Sequence, residues 1–390
     1  MEKTNNDQQE SRFLDREQVF IDQMEALESS EEFEFLTVNQ LMKLKFKKNK
    51  AAVISLYVLA VFYFVIIFAE FFAPYEFNTR IPNMGYAPPQ TIHIRDSQGR
   101  FRLPFTYGLE QERNMETYLY DYVEDTSQIY PLKFFVKGHP YKLLGLIETD
   151  IHFLGVDEGG TLLLLGTDQL GRDMFSRVLV GGRISLTVGL IGVVLTIVLG
   201  SFLGTVSGYY GGWVDNVIQR IAELLRAFPT LPLWMTLTTA LPREWPSHYI
   251  YFGIVTVLAV IGWTGLAREI RGKVMAFRNT DFVLAAEAQG ASTLRIIFLY
   301  MIPNMVSHIM VIATLSIPAM ILGESSLSYL GLGIQPPMTS WGLMMAQAQK
   351  VEVMKNYPWL MLPGVFLFVV VLAFNFLGDG LRDAVDPFAQ

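Results

Sequence analysis

Residues 279–303 read NTDFVLAAEAQGASTLRIIFLYMIP and lie between two long apolar segments. We therefore expect them to form a loop at one face of a membrane. Thr280 is a residue type that caps helices, and it predicts a short helix beginning at Asp281. Gly290 can end this helix, because glycine readily adopts the left-handed backbone found at many helix ends. The stretch is thus predicted to be a structured loop.

The two halves of this loop have distinct patterns. Phe282, Ala285 and Ala286 fall at positions i, i+3 and i+4, so they share one face of the first short helix. Ser292 can cap a second short helix that carries Arg295. The small alanines would let the backbone of a partner approach closely. We expect two short helices that meet at a glycine and form one rigid unit.

The composition is that of a membrane protein. The 390 residues are 51% hydrophobic and only 17% charged, whereas soluble domains carry about 25% charged residues. Several stretches reach the roughly 20 apolar residues of a spanning helix. The fold class expected is therefore an all-α polytopic membrane protein. The absence of cysteine excludes disulfides and thiol nucleophiles, and the net charge of −7 argues against nucleic-acid binding.

Six apolar segments are predicted to cross the membrane: residues 51–73, 185–208, 215–240, 249–271, 303–322 and 359–377. Lysines cluster before the first of these segments, and basic residues cluster after the fourth. Cytoplasmic loops are rich in such residues. We therefore expect the segment before the first span and the loop after the fourth span to lie in the cytoplasm. We expect both termini to be cytoplasmic and the protein to lie in a cell membrane.

Outside the spans, the chain divides into four parts. Residues 1–35 are predicted to be an acidic flexible tail, and residues 36–50 an amphipathic basic helix on the lipid surface. Because the first apolar run begins only near Ala51, we expect no signal peptide. Residues 74–165 are an extracytoplasmic insert, and residues 166–387 form the core with the five further spans.

The insert shows the alternation of β-strands. Ile92 and Ile94 alternate with polar residues, residues 97–99 can turn the chain, and Phe101 and Leu103 alternate again. This pattern predicts a hairpin. Residues 133–136 and 145–153 are predicted as further strands. We expect the insert either to contact a binding protein or to gate the outer opening of the membrane-spanning core. The alternative is that it has a purely structural role.

Residues 279–303 resemble the signature loop of ABC-importer permeases. That signature is Glu-Ala-Ala, three residues, glycine, nine residues, and then Ile-x-Leu-Pro. Ala285, Ala286, Gly290 and Pro303 match it in spacing, while Tyr300 and Ile302 stand at its Ile and Leu positions. The resemblance implies that the loop docks on a cytoplasmic ATPase.

One position departs from the signature. Leu284 stands where the family usually has an acid that is expected to pair with a basic group on the ATPase. Glu287, three residues later, is the candidate substitute. The full set of residues to which the resemblance assigns ATPase coupling is Asp281, Leu284, Ala285, Ala286, Glu287, Gly290, Ala291, Arg295 and Pro303.

Four further stretches carry a narrower resemblance, namely residues 166–177, 213–229, 330–341 and 374–387. Together with the loop they are similar to the C-type membrane subunit of dipeptide and oligopeptide ABC importers, a subfamily that nickel importers share. The resemblance implies the six-helix architecture of type I importer permeases. The five histidines show no metal-ligand spacing, so peptides are the expected cargo, with nickel as the alternative.

The resemblance also implies a set of partners. They are a second homologous permease subunit, two cytoplasmic ABC ATPase subunits and an extracytoplasmic peptide-binding protein. Since the chain lacks the G-x-x-x-x-G-K-[ST] phosphate loop, ATP and Mg²⁺ are expected only on the ATPase subunits. This chain itself is expected to bind no cofactor and to be no enzyme.

An acid near the end of a span is often functional. Glu324, together with Ser325, is therefore a candidate for the translocation path, where the carboxylate would meet a peptide amine. The structural alternative is a carboxylate that accepts hydrogen bonds from Ser325 or Ser326.

Two other functional classes remain open from the residues. One is an ion-coupled transporter or channel that acts alone, although no clear internal repeat supports it. The other is an intramembrane serine hydrolase, with Ser325 as nucleophile and His308 as base.

Overall fold

The computed structural model describes residues 38–116, 118–157, 159–242 and 244–385. The tail predicted at residues 1–35 and the end of the predicted core at residues 386–387 lie outside these ranges. The described chain begins with helix α1, Val38–Lys48, which is the predicted surface helix. Helix α2, Lys50–Ile67, follows after Asn49, whose side-chain oxygen accepts a hydrogen bond from the Ala52 backbone N–H at 3.1 Å.

The protein is mostly helical. After α2 the helices are α3 Ala69–Phe72, α4 Met174–Tyr210, α5 Gly212–Ala227, α6 Thr230–Thr239, α7 Ser247–Phe277, α8 Asp281–Ala288, α9 Thr293–Arg295, α10 Ile302–Tyr329, α11 Trp341–Ala346, α12 Val351–Asn356 and α13 Leu362–Val385. A π-helical turn, Ile296–Met301, joins α9 to α10, and a 3₁₀ turn, Pro358–Met361, precedes α13.

Between α3 and α4 lie two antiparallel sheets. The first contains β1 His93–Arg95, β2 Phe101–Arg113 and β3 Tyr120–Pro131 in that order. The second is a hairpin of β4 Lys133–Leu143 and β5 Ile147–Gly155. β1, β2, β4 and β5 occur where the alternation predicts them. β3 was not predicted, because its sequence YDYVEDTSQIYP is too polar to show a clear apolar alternation.

Five helical segments in the described residues are long and apolar enough to cross a membrane: residues 50–67, 174–210, 247–277, 293–329 and 358–385. The third predicted span, residues 215–240, is not one helix. It breaks at Phe228 and Pro229 into α5 and α6. Proline lacks the N–H that would continue the helix and holds the residue before it in an extended conformation.

Four other spans are longer than predicted. The second begins at Met174 rather than residue 185, the fourth continues to Phe277 rather than residue 271, the fifth begins at Thr293 rather than residue 303, and the last continues to Val385 rather than residue 377. The first span is shorter and ends at Ile67 rather than residue 73. Glycines within these helices permit close packing. A Cβ on Gly182, for example, would lie only 2.8 Å from the Trp341 ring. The helix therefore continues through this residue.

Helices α4 and α7 pack closely against each other along a row of glycines. Gly200, Gly204 and Gly208 recur every four residues along α4 and form a smooth stripe. A Cβ on Gly204 would lie 2.5 Å from the backbone oxygen of Ala267, and one on Gly208 would lie 2.7 Å from that of Arg271. The two backbones can touch only because these residues have no side chain.

Candidate coupling site

The predicted loop does contain a short helix that begins at Asp281. Thr280, which precedes it, has the extended backbone of a cap, but its hydroxyl donates to the Phe277 carbonyl at 2.6 Å instead of accepting from the helix. The hydroxyl therefore ties α8 back to the end of α7. The position of the helix was predicted correctly, whereas the bond that holds its start was not.

The end of α8 depends on Gly290, as predicted. Its φ of +77° is left-handed, and the two hydrogen bonds of a Schellman motif close the helix. The Ala291 N–H donates to the Ala286 carbonyl at 3.0 Å, and the Gly290 N–H donates to the Glu287 carbonyl at 2.9 Å. The turn after α8 is therefore fixed by its backbone.

The face by which α8 packs differs from the predicted one. Val283 and Ala286 are buried against Ile297 and Met301, in a cluster that also contains residues of α7. Phe282 and Ala285, predicted to share a face with Ala286, are exposed. Their spacing was recognised, but a single sequence does not show which of two adjacent stripes is covered.

The second half of the loop is not a separate short helix. α9 continues through the π turn into α10 without a break, so residues 293–329 form one long helical segment. Pro303 lies at the start of α10. Proline has no N–H to donate within a helix. The π turn before Pro303 replaces the usual i→i−4 hydrogen-bond pattern, and the chain therefore continues into α10 as a helix. Only the first element of the loop is therefore short.

The predicted coupling residues divide by exposure. Ala286 is buried and Ala291 is half-buried. The exposed ones are Asp281, Leu284, Ala285, Glu287, Gly290, Arg295 and Pro303. Leu284 is 48% exposed, and Leu294 and Phe298 nearby are 66% and 62% exposed. The loop therefore presents an apolar surface of a kind that marks protein interfaces.

Glu287 is held by a residue that the sequence analysis did not single out. The Tyr209 hydroxyl, at the end of α4, donates to the Glu287 carboxylate at 3.2 Å. The Arg278 guanidinium lies 6.0 Å from the centre of the Tyr209 ring. These contacts link α8 to α4 as well as to α7 and α10. A separation of 78 residues between Tyr209 and Glu287 gives no local pattern that reveals the contact.

An ion pair fixes the end of α7 from which the loop emerges. Arg271 donates from Nε and Nη2 to the two carboxylate oxygens of Asp215, each at 2.5 Å. Ser207 Oγ donates to the same carboxylate at 2.5 Å. The pair thus joins α5 to α7 across the end of α4.

We expect Asp215→Asn to weaken this contact between α5 and α7. The asparagine can accept only one of the two guanidinium bonds and carries no charge to balance Arg271. Hydrogen bonds to charged groups contribute about 2 kcal/mol, so the free energy of unfolding should fall by about that amount. Thermal unfolding of the purified chain measures it. Asn216→Asp on the same helix is a control that changes charge in the opposite direction. An unchanged melting temperature for Asp215→Asn would show that the pair is not stabilising.

Glu324 is completely buried between α4, α10 and the segment that follows α10. Its carboxylate accepts from Ser328 Oγ at 2.6 Å, Ser185 Oγ at 3.0 Å and Ser325 Oγ at 3.3 Å. This geometry corresponds to the structural alternative, although Ser326 is not among its partners. A role for Glu324 and Ser325 in the translocation path stays a prediction.

The serine network predicts opposite results for two substitutions of Glu324. Glu324→Leu leaves the hydroxyls of Ser185 and Ser328 buried without their acceptor, which should cost about 3 kcal/mol of unfolding free energy. Glu324→Gln keeps an acceptor and should cost less than half as much. Melting of both variants tests the network, and equal losses would argue against it.

The geometry does not support the hydrolase alternative. His308 and Ser325 lie on the same helix, α10, and 17 residues at roughly 1.5 Å each separate them by about 25 Å. His308 Nε2 instead lies 3.3 Å from Glu269 Oε2 on α7. A base must come within about 3 Å of the hydroxyl that it deprotonates. His308 therefore cannot activate Ser325.

Helices of membrane-spanning length, with an exposed short helix between two of them, are those of a multi-pass membrane protein. Residues 174–389 match the family described as binding-protein-dependent transport system inner membrane component, and residues 39–89 match the N-terminal TM domain of oligopeptide transport permease C. The chain belongs to this permease family. The predicted resemblance to C-type permease subunits of peptide ABC importers is confirmed.

Individual relatives agree with this assignment. The chain is 40% identical to the oligopeptide transport system permease protein OppC of Bacillus subtilis over 223 residues, which are 57% of this chain and 70% of the relative. It is 42% identical to the dipeptide transport system permease protein DppC of the same organism, over 57% of this chain and 68% of the relative.

A solved structure is more distantly similar. The structure described as inward facing conformations of the MetNI methionine ABC transporter aligns over 55% of this chain and 98% of its own chain, with a TM-score of 0.41 and 17% sequence identity. This likeness is too distant to support a conclusion about the conformation of the present chain.

Proposed function

We propose that this chain forms half of the translocation pathway of an ATP-driven importer for di- or oligopeptides. The observation that carries the proposal is α8, a capped helix that is fixed to two spans by one face and exposes Leu284 and Ala285 on another. Membership of the permease family and the names of the relatives support a peptide cargo.

The contacts of the loop suggest how it transmits force. Val283 and Ala286 attach α8 to the ends of α7 and α10, while Glu287 and Tyr209 attach it to α4. A displacement of α8 by an ATPase would therefore move the ends of three spans together. Alternation between inward-facing and outward-facing states requires two discrete arrangements of these spans, and such a displacement would convert one into the other.

The remaining parts of the assembly belong to the same proposal. The partners would be a second homologous permease subunit, two cytoplasmic ATPase subunits that bind ATP and Mg²⁺, and an extracytoplasmic peptide-binding protein. α5 and α6 together would supply a sixth crossing, interrupted at Pro229. Both termini and α8 would be cytoplasmic, and residues 74–165 would lie on the outer side.

Uptake by reconstituted vesicles tests the function. The complete set of subunits in proteoliposomes should accumulate a radiolabelled peptide only when ATP is present on the side of the ATPases. A parallel assay with Ni²⁺ distinguishes the alternative cargo. ATP-independent uptake driven by an ion gradient would contradict the proposal and would instead support a transporter that acts alone.

A further inference from the structure

An exposed aromatic surface lies on the β4–β5 hairpin. Phe134 and Phe135 in β4 are 64% and 65% exposed, which is unusual for two neighbouring phenylalanines. Their ring centres lie 5.5 and 6.2 Å from that of Phe153 in β5. We call Phe71, Phe72, Phe134, Phe135 and Phe153 the aromatic patch.

The backbone brings the two neighbouring rings to the same side. Successive residues of a regular strand point to opposite faces of a sheet. Phe135 has a φ of +57°, which interrupts this alternation, and both Phe134 and Phe135 contact Phe153. A positive φ is rare for a bulky side chain. The conformation therefore exposes apolar area that a regular strand would have turned inward.

The patch is continuous with the surface of the first spanning helix. Phe64 in α2 is 56% exposed, and its ring centre lies 5.1 Å from that of Phe68 and 6.1 Å from that of Phe72. Phe72 in turn lies 5.3 Å from Phe153. An unbroken row of rings thus leads from the exposed side of α2 to the hairpin.

The aromatic patch lies at the depth expected for the edge of a bilayer that α2 crosses. The 18 residues of α2 span about 27 Å at roughly 1.5 Å each, close to the 30 Å or so of a hydrocarbon core. The patch begins just beyond the end of this helix. At the same level, Arg183 and Glu70 form an ion pair at 2.6 Å, and charged pairs of this kind favour the polar boundary over the hydrocarbon. Aromatic side chains are typical of that boundary.

We propose that the aromatic patch lies in the interfacial layer of the membrane and anchors the β4–β5 hairpin to the lipid surface. The bilayer is the occupant to which this exposed surface is assigned, because the same row of rings continues along the exposed side of α2, whose length and composition suit a membrane span. The anchor would hold the insert beside the outer end of α2. The inference requires only that α2 crosses the membrane, and it does not depend on the proposed cargo.

The sequence makes a direct test simple, since it contains no cysteine. A spin label is attached to Phe135→Cys, and in a second variant to Phe134→Cys, in the full-length chain reconstituted in phosphatidylcholine and phosphatidylglycerol nanodiscs. Collision rates with oxygen, which enters lipid, and with a water-soluble nickel chelate are then measured. Met115→Cys is the matched control, because Met115 is 76% exposed in the turn between β2 and β3.

The proposal predicts a severalfold higher ratio of oxygen to chelate collisions at both phenylalanine positions than at Met115. Equal ratios at all three positions would overturn it, since the patch would then face water. Labels that become shielded from the chelate only after an extracytoplasmic binding protein is added would also overturn it, because the occupant would be that protein.

Discussion

Replacing Ala285 by tryptophan should abolish ATP-dependent peptide uptake while the chain remains folded. Ala285 is exposed on α8, so the large ring meets no part of this chain, but it would prevent a groove on an ATPase from closing over the helix. Residues at the centre of an interface contribute about 2 kcal/mol or more, which corresponds to at least about 30-fold in affinity. Uptake and permease-stimulated ATP hydrolysis in proteoliposomes measure the effect.

Two further variants serve as controls for this prediction. Ala51→Trp changes an exposed alanine at the start of α2, away from the loop, and should leave uptake unchanged. Ala286→Trp places the same ring in the buried cluster and should lower the melting temperature itself. Normal uptake and normal stimulation of ATP hydrolysis by Ala285→Trp would show that this face of α8 makes no contact with an ATPase subunit.

Replacing Gly204 by alanine should destabilise the chain by about 2 kcal/mol, although only one methyl group is added. That methyl would lie 2.5 Å from the Ala267 backbone oxygen, and neither backbone can move without separating α4 from α7. Overpacking of this kind costs about 1 to 3 kcal/mol. Thermal unfolding of the purified protein in detergent measures the loss.

Gly272→Ala is the matched control for this prediction. Gly272 lies in α7, and a Cβ there would meet nothing within 4 Å. Because alanine favours helices over glycine by about 1 kcal/mol, this variant should be neutral or slightly more stable. If both substitutions changed the melting temperature equally, close contact between the α4 and α7 backbones would not be a source of stability.

Features fixed by local chemistry were predictable from the sequence. Gly290 ends α8 because the left-handed conformation needed there suits glycine. Pro229 interrupts a helix because it lacks an N–H, a local cause that the predicted span over residues 215–240 overlooked. The start of α8 after Thr280 follows from the same kind of rule. In each case the physical cause lies within a few residues, so one sequence is enough.

Features fixed by tertiary contact were not predictable. The second span was predicted to begin at residue 185, but its helix continues through Gly182, which makes room for Trp341, 159 residues away. The contacts between Tyr209 and Glu287 and between Asp215 and Arg271 likewise join separate helices. The buried face of α8 depends on the π turn that it packs against. Local periodicity contains no information about such partners.

Cross-linking from residue 284 tests the central claim most directly. Leu284→Cys would provide the only thiol in a chain without cysteine, on the exposed face of α8. In the assembled importer it should form a cross-link to an ATPase subunit, and in intact cells a membrane-impermeant maleimide should not label it. Labelling of residue 284 from outside intact cells, or no cross-link in any nucleotide state, would contradict the assignment of this loop as the docking site of the motor.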